Sequence, residues 1–186
     1  MEKIKLICAT LMALLLVSCA SAPKNIDLAG KEAEQTPYDK KIKHQLQSAS
    51  AFMEMVQNFS RENYTRESND KWENLGELVD NGFRNDCDAY SNFLYQLLLL
   101  STKFPENSIR VAIFWNLDNE WWLMWSYAKI GNEIKKFKHL ELADLKGKRL
   151  DLRAHTCVLW FDKDKDPWVL DPTGAITTRM KRLSDI

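Results

Sequence analysis

Apolar residues recur at Ile42, Leu46, Ala49, Met53, Val56 and Phe59, in steps of three and four that lay them along one face of a helix. Thr36-Pro37 supplies a cap and a proline at the first helical position. The face is suited to covering a core, and a partner-binding helix would carry the same pattern. Ser60 to Lys71 is polar, and Asn63, Thr65, Ser68, Asn69 and Asp70 offer turn chemistry. Trp72, Leu75, Leu78 and Val79 predict a short helix stopped by Asn81-Gly82. Behind that stop, Phe93, Leu94, Leu97 and Leu98 give a buried face to a helix beginning at Cys87.

Phe104-Pro105-Glu106-Asn107 breaks the helical period, and strands replace it. Ile109 to Trp115, Trp121 to Ile130, His155 to Phe161 and Trp168 to Leu170 have strand character, with a charged turn at Asp162 to Asp166. The last strand ends in Asp171-Pro172-Thr173-Gly174. Gly131 to Arg153, where basic residues outnumber acidic ones, reads as a solvated excursion on the sheet edge. Contact with anionic lipid or an acidic substrate is the alternative for it. Helices followed by antiparallel strands predict an α+β domain: a central helix headed by the cysteine, packed on an antiparallel β-sheet, with an additional N-terminal helix.

The first residues follow a different logic. Met1 to Lys5 carries two lysines, and Leu6 to Val17 is an apolar run too short to span a bilayer, so residues 1–18 read as a secretory signal. Leu16-Val17-Ser18-Cys19 looks like a bacterial lipobox, which predicts lipidation of Cys19 and cleavage before it. Cleavage after Ala20-Ser21-Ala22 would instead give a soluble exported protein. The apolar run stops directly at the cysteine, which favours the lipoprotein. Residues 19–36 then form a lipidated cysteine and flexible tether, and residues 37–186 a single domain. The expected place is the bacterial cell envelope, lipid-anchored to a membrane and facing the periplasm or cell surface.

Composition narrows the function classes. A chain of 186 residues has room for one core. With 26 basic and 26 acidic residues it lacks the electrostatic footprint of a nucleic-acid binder. Its seven tryptophans supply core bulk or line a groove for an extended partner. Of four cysteines, Cys8 leaves with the signal and Cys19 carries lipid, so the domain keeps Cys87 and Cys157. In an oxidising compartment two such cysteines suggest a disulfide.

A competing use for Cys87 comes from its position. At a helix start, unpaired amides and the macrodipole favour an anion, which suits a nucleophilic thiolate. A cysteine there is also commonly a packed core residue. His155 opens one strand and Asp171 closes the next, so a hairpin between them sets the two side by side. Asp171 would then orient the imidazole, which takes the thiol proton and later returns it to the leaving amine. Cys157, two residues beyond His155, shares its face about 7 Å further along the strand, which disfavours an unstrained bond to a Cys87 engaged with His155. The expectation is a free Cys87. His44 and His139 read as surface residues.

The stretches Trp72, Gly82 to Tyr90 with Asp86-Cys87-Asp88-Ala89-Tyr90, His155-Thr156-Cys157-Val158-Leu159 and Trp168-Val169-Leu170-Asp171-Pro172-Thr173 resemble, in order, the motifs of the transglutaminase-like superfamily. The pattern is most similar to the bacterial transglutaminase-like cysteine proteinases of LapG type, over about residues 70 to 175. The resemblance implies a papain-like core with Cys87 as nucleophile, His155 as general base and acid, and Asp171 as orienting carboxylate. It also implies a periplasmic peptidase acting on surface proteins, with calcium near the acids flanking the cysteine. The chain departs from the family's Gly-Asp-Cys-Glu-Asp-Tyr in having Ala89 where an acid is usual. Its Cys-to-His spacing is also longer than that type's.

Asp86 and Asp88 bear on calcium independently, because two negative charges beside Cys87 oppose a thiolate. Either Asp86 caps the helix and the pair points away, or a hard cation neutralises them; capping is the first expectation, and no cofactor is required. The Cys87 amide is the first oxyanion-hole candidate, with Trp72 or Asn69 as the second. The leading expectation is a thiol hydrolase, a cysteine peptidase or amidase, acting on a protein or peptide of the cell envelope. The alternatives are transglutaminase-type acyl transfer to an amine and a non-catalytic module binding through its tryptophan-rich strand.

Overall fold

The computed structural model describes residues 37–66, 75–101, 103–117, 119–140, 150–162 and 166–186. The signal segment, Cys19, the tether, Thr36, Asn69 and Trp72 lie outside the described residues. The chain divides into Met1–Tyr38 and Asp39–Ile186, and the sheet and the cysteine helix belong to the second unit. Among the described residues no helix is long and apolar enough to cross a membrane.

The fold is α+β. Among the described residues three helices, α1 (Pro37–Asn63), α2 (Leu75–Asp80) and α3 (Cys87–Leu100), precede six strands: β1 (Ile109–Leu117), β2 (Glu120–Ile130), β3 (Glu133–Lys138), β4 (Leu150–Trp160), β5 (Trp168–Leu170) and β6 (Lys181–Arg182). The strands form one sheet in the order β3-β2-β1-β4-β5-β6, and every neighbouring pair is antiparallel.

α3 buries Phe93, Leu94, Leu97 and Leu98 against β1 and β4. Each such side chain contributes about 1.5–3 kcal/mol relative to an exposed one. Strand alternation on β4 turns Val158 and Trp160 toward this layer, where Phe104 meets Trp160 edge-on at 5.3 Å between ring centroids. On the other face Cys157 and Leu159 join Ala112, Phe114 and Val169 in an apolar cluster flanked by Trp121, Leu123, Phe161, Ile176 and Leu183.

The approach to α3 is bent by two consecutive residues of positive φ, Gly82 (64°) and Phe83 (64°). A left-handed phenylalanine costs roughly 1–2 kcal/mol. Packing offsets it: the Phe83 ring stacks on Phe59 at 5.1 Å and meets Phe93 at 5.8 Å, while its carbonyl accepts the Tyr90 hydroxyl. The bend delivers Asp86 to the N-cap of α3 in an extended conformation.

Several elements differ from the sequence reading. α1 continues through Ser60 to Asn63, where the Asn63 side chain donates to the Phe59 carbonyl of α1 itself and so extends the helix rather than ending it. The charged excursion contains β3, an edge strand whose lysines hide its alternation, and it already includes the start of β4 at Leu150. β6 and the short 3-10 turn at Leu183–Asp185 carry no periodic pattern of their own.

Candidate active site

Asp171 is placed by register. β5 pairs with β4 through Val158–Leu170, so the next residue, Asp171, falls beside Cys157 and close to His155. Asp171 Oδ1 lies 2.9 Å from His155 Nε2, with both side chains buried. The turn after β5 then wraps the carboxylate in donors. Oδ1 accepts from the Thr173 amide (3.0 Å), the Thr173 hydroxyl (3.2 Å) and the Gly174 amide (3.0 Å), while Oδ2 accepts from the Ile176 (2.6 Å) and Thr177 (3.2 Å) amides. This is the Asx chemistry that makes aspartate open a turn, repeated until the carboxylate cannot rotate.

α1 fixes the same turn from outside. Gln57 Nε2 donates to the Asp171 carbonyl (2.8 Å), and Ser60 Oγ donates to the Pro172 carbonyl (3.0 Å). Both residues are buried. The sequence held a signal for this, because Gln45, Ala49, Met53 and Gln57 follow one another in steps of four, which puts two glutamines on the buried stripe.

Cys87 heads α3 as the sequence predicts and is partly exposed. Asp86 caps the helix by accepting from the Asp88 amide (3.3 Å). The Cys87 thiol makes its own hydrogen bond with Thr156 Oγ1 at 3.9 Å, and Ser91 Oγ anchors the helix to the Thr156 carbonyl at 2.7 Å. Thr156 neighbours His155, so cysteine, imidazole and carboxylate come from α3, β4 and the end of β5. Both described cysteines are free thiols. Trp121 packs over the imidazole, with ring centroids 5.8 Å apart.

The electrostatics follow from burial and partners. Burial opposes a charge on His155, but Cys157, Asp171 and Cys87 outweigh it and raise its pKa well above the ordinary imidazole value. Complete burial pushes the Cys157 thiol up to about 12, so Cys157 is neutral near pH 7 and the Asp171 carboxylate sustains the imidazolium. Burial alone would raise the Asp171 pKa; the hydrogen bond and charge of His155, together with the turn amides, bring it below the usual carboxylate value. Tyr64, bridged through its backbone to Asn85, has its phenol pushed up by burial and by the negative charge available at Cys87 and Asp86. It stands in the electrostatic neighbourhood of the thiol, and nothing in its polar surroundings of sequence marked it.

Burial and the adjacent Asp86 carboxylate raise Asp88 to about 8. One of its oxygens, Oδ1, is buried without a hydrogen-bond partner. Trp72, the expected second oxyanion donor, and Asn69 fall outside the described residues. His44 is exposed, as expected, and His139 is a surface residue whose Nε2 lies 2.7 Å from Ser126 Oγ.

The sequence matches no protein-family model and no curated protein. Among solved structures the chain is similar to Legionella pneumophila LapG. The likeness has 15% identity and a TM-score of 0.45, and covers 83% of this chain and 72% of that one. The EGTA-treated form of the same protein gives 15% identity and a TM-score of 0.45, covering 83% and 70% of the two chains. The calcium-bound form gives 14% identity and a TM-score of 0.45, covering 83% and 72%.

Proposed function

We propose that this chain is an exported, membrane-anchored thiol hydrolase, a peptidase or amidase, working through Cys87, His155 and Asp171. The observation that carries the reading is the buried 2.9 Å His155–Asp171 pair, locked by the turn and within electrostatic reach of the Cys87 thiol. A carboxylate held this firmly fixes the imidazole's tautomer and stabilises its cation. Rotation of the Cys87 side chain away from Thr156 toward the imidazole completes the constellation, and such bonds are commonly long before substrate arrives.

In the reaction the thiol proton passes to His155, giving the thiolate–imidazolium pair that Asp171 favours, and the sulfur attacks the substrate carbonyl. The tetrahedral oxyanion forms beside the Cys87 amide at the α3 N-terminus. Collapse expels the amine, which leaves with the proton from His155, and forms the acyl-enzyme. Water, deprotonated by the same imidazole, releases the acid and restores the thiol. An amine taking the place of water would give transamidation through the same intermediate. The substrate is a protein or peptide of the envelope, and the lipid on Cys19 holds the enzyme at the membrane surface.

Calcium has a partial fit. Asp86 and Asp88 place two carboxylates together, and Asp88 contributes a buried oxygen that lacks a hydrogen-bond donor. Calcium takes six to eight oxygens, so backbone carbonyls and water would complete the shell. Its chemistry would be to neutralise the pair beside Cys87. Activity that survives complete chelation removes it from the proposal.

A cysteine-directed acylating probe tests the reading. Wild type is expected to label at Cys87, with labelling much slower in His155→Ala and absent in Cys87→Ser. Equal labelling of wild type and His155→Ala would instead favour a non-catalytic binding module. Comparing envelope proteins cleaved in the presence of wild type and of Cys87→Ser identifies the substrate.

A further inference from the structure

Cys157 supplies no reacting atom to the proposed hydrolysis, yet it lies in the orienting half of the site. One donor atom from each of His155, Cys157 and Asp171 lies within 4.8 Å of the other two, and all three residues are buried. The Thr173 hydroxyl stands 3.3 Å from His155 Nε2 and 3.2 Å from Asp171 Oδ1. A thiol, an imidazole nitrogen and a carboxylate oxygen therefore lie close together, with the Thr173 hydroxyl beside the last two residues. The ligands of a tetrahedral zinc ion, bound at about 2.0–2.3 Å, stand roughly 3.3–3.8 Å from each other. Reaching that spacing from within 4.8 Å brings the donors together by up to about 1.5 Å and parts Nε2 from Oδ1, which lie 2.9 Å apart.

We propose that this cluster is a binding site for a thiophilic divalent cation of the zinc type, and that occupancy switches the hydrolase off. Cys157 Sγ, His155 Nε2 and Asp171 Oδ1 are the protein ligands, with the Thr173 hydroxyl or a water in fourth place. The mixed sulfur, nitrogen and oxygen set selects zinc-like metals over calcium and magnesium, which take oxygen. The ion occupies the place of the proton between Nε2 and Oδ1, and the Cys157 thiol gives up its proton on coordination. The amides of Thr173, Gly174, Ile176 and Thr177 continue to hold the carboxylate, as outer-shell partners of a metal ligand do. With Nε2 bound to metal, His155 loses the carboxylate partnership on which proton transfer with Cys87 depends. Because the site is buried, binding is slow and inhibition develops with time.

Inhibition rests on the hydrolase reading; metal binding does not. The test uses the full-length protein after chelator treatment, titrated with Co2+ as a spectroscopic probe and with Zn2+ as the inhibitor. A thiolate-to-cobalt charge-transfer band with tetrahedral ligand-field bands is expected in wild type and in Cys87→Ser. The bands are expected to be lost in Cys157→Ser and His155→Ala. Cys157→Ala, which suits the apolar cluster around the sulfur, serves as a second variant with circular dichroism as the check on folding. Measured against its own metal-free rate, it is expected to need at least about tenfold more Zn2+ for inhibition. No cobalt band in wild type, a band that survives loss of Cys157, or a band abolished by Cys87→Ser alone overturns the metal site. A band without any hydrolytic activity in the metal-free protein leaves the metal site standing and overturns the hydrolase.

Discussion

Asp171 is the residue on which the site's geometry and charge converge. Its substitution by asparagine keeps the shape but removes the anion that holds His155 protonated. The loss in kcat expected for such a change in the proposed triad is on the order of 10⁴-fold. The alkaline limb of the pH–rate profile, set by deprotonation of the imidazolium, is expected to move to lower pH. A steady-state profile checks both, and an unmoved limb would show that His155 titrates independently of Asp171. Asp88 gives a second pH effect of defined sign. Its pKa is raised in the fold from 3.8 to about 8, so the folded chain keeps a proton there that the unfolded chain has lost. Stability from this residue is full below the unfolded pKa and declines as pH rises through about 8. The melting temperature of wild type is thus expected to fall more than that of Asp88→Asn between about pH 5 and pH 9, measured calorimetrically without divalent cations.

Among the elements, α1 has a role that its amphipathic stripe conceals. It covers the core, as Ala49, Met53 and Val56 indicate, and also closes the Asp171 turn through Gln57 and Ser60. Gln57→Leu retains bulk but leaves a buried carbonyl without its donor, a loss of about 1–3 kcal/mol in denaturant unfolding. A larger fall in activity than in fraction folded is expected, because the turn loosens around the carboxylate. The central helix was legible in the sequence because Asn81-Gly82, Asp86 and the leucine spacing act locally. β1, β2, β4 and β5 were legible from alternation, and the His155–Asp171 encounter from the hairpin they imply. β3 was not, since an edge strand can be lysine-rich on both faces. Nor were the partnerships of Thr156, Thr173 and Gln57, which depend on side chains brought together from distant segments. Gln57 and the Asp171 carbonyl are 114 residues apart in the chain, a separation no local pattern encodes.

At the scale of the whole molecule, the two thiols of the domain have opposite environments. Cys87 is partly exposed at a helix terminus, and Cys157 is enclosed in the apolar cluster. Alkylation of the native protein followed by peptide mapping is expected to modify Cys87 and spare Cys157 until the chain is unfolded. A Cys87–Cys157 disulfide in active material would contradict the proposed chemistry. The proposed anchor has its own test: Cys19→Ser is expected to move the protein from the membrane to the soluble fraction and to abolish palmitate incorporation.

The clamp from α1 also sets how far this chain can be shortened. Cys87, His155 and Asp171 all lie in a fragment begun at residue 65, which would keep α3 and every strand. That fragment would lack Gln57 and Ser60, and with them the two donors that seat the Asp171–Pro172 carbonyls. For the proposed hydrolase the minimal active piece is therefore fixed by a helix that contributes no reacting atom, and trimming to the motif-bearing region would yield a chain with its proposed triad complete in sequence and slack in space.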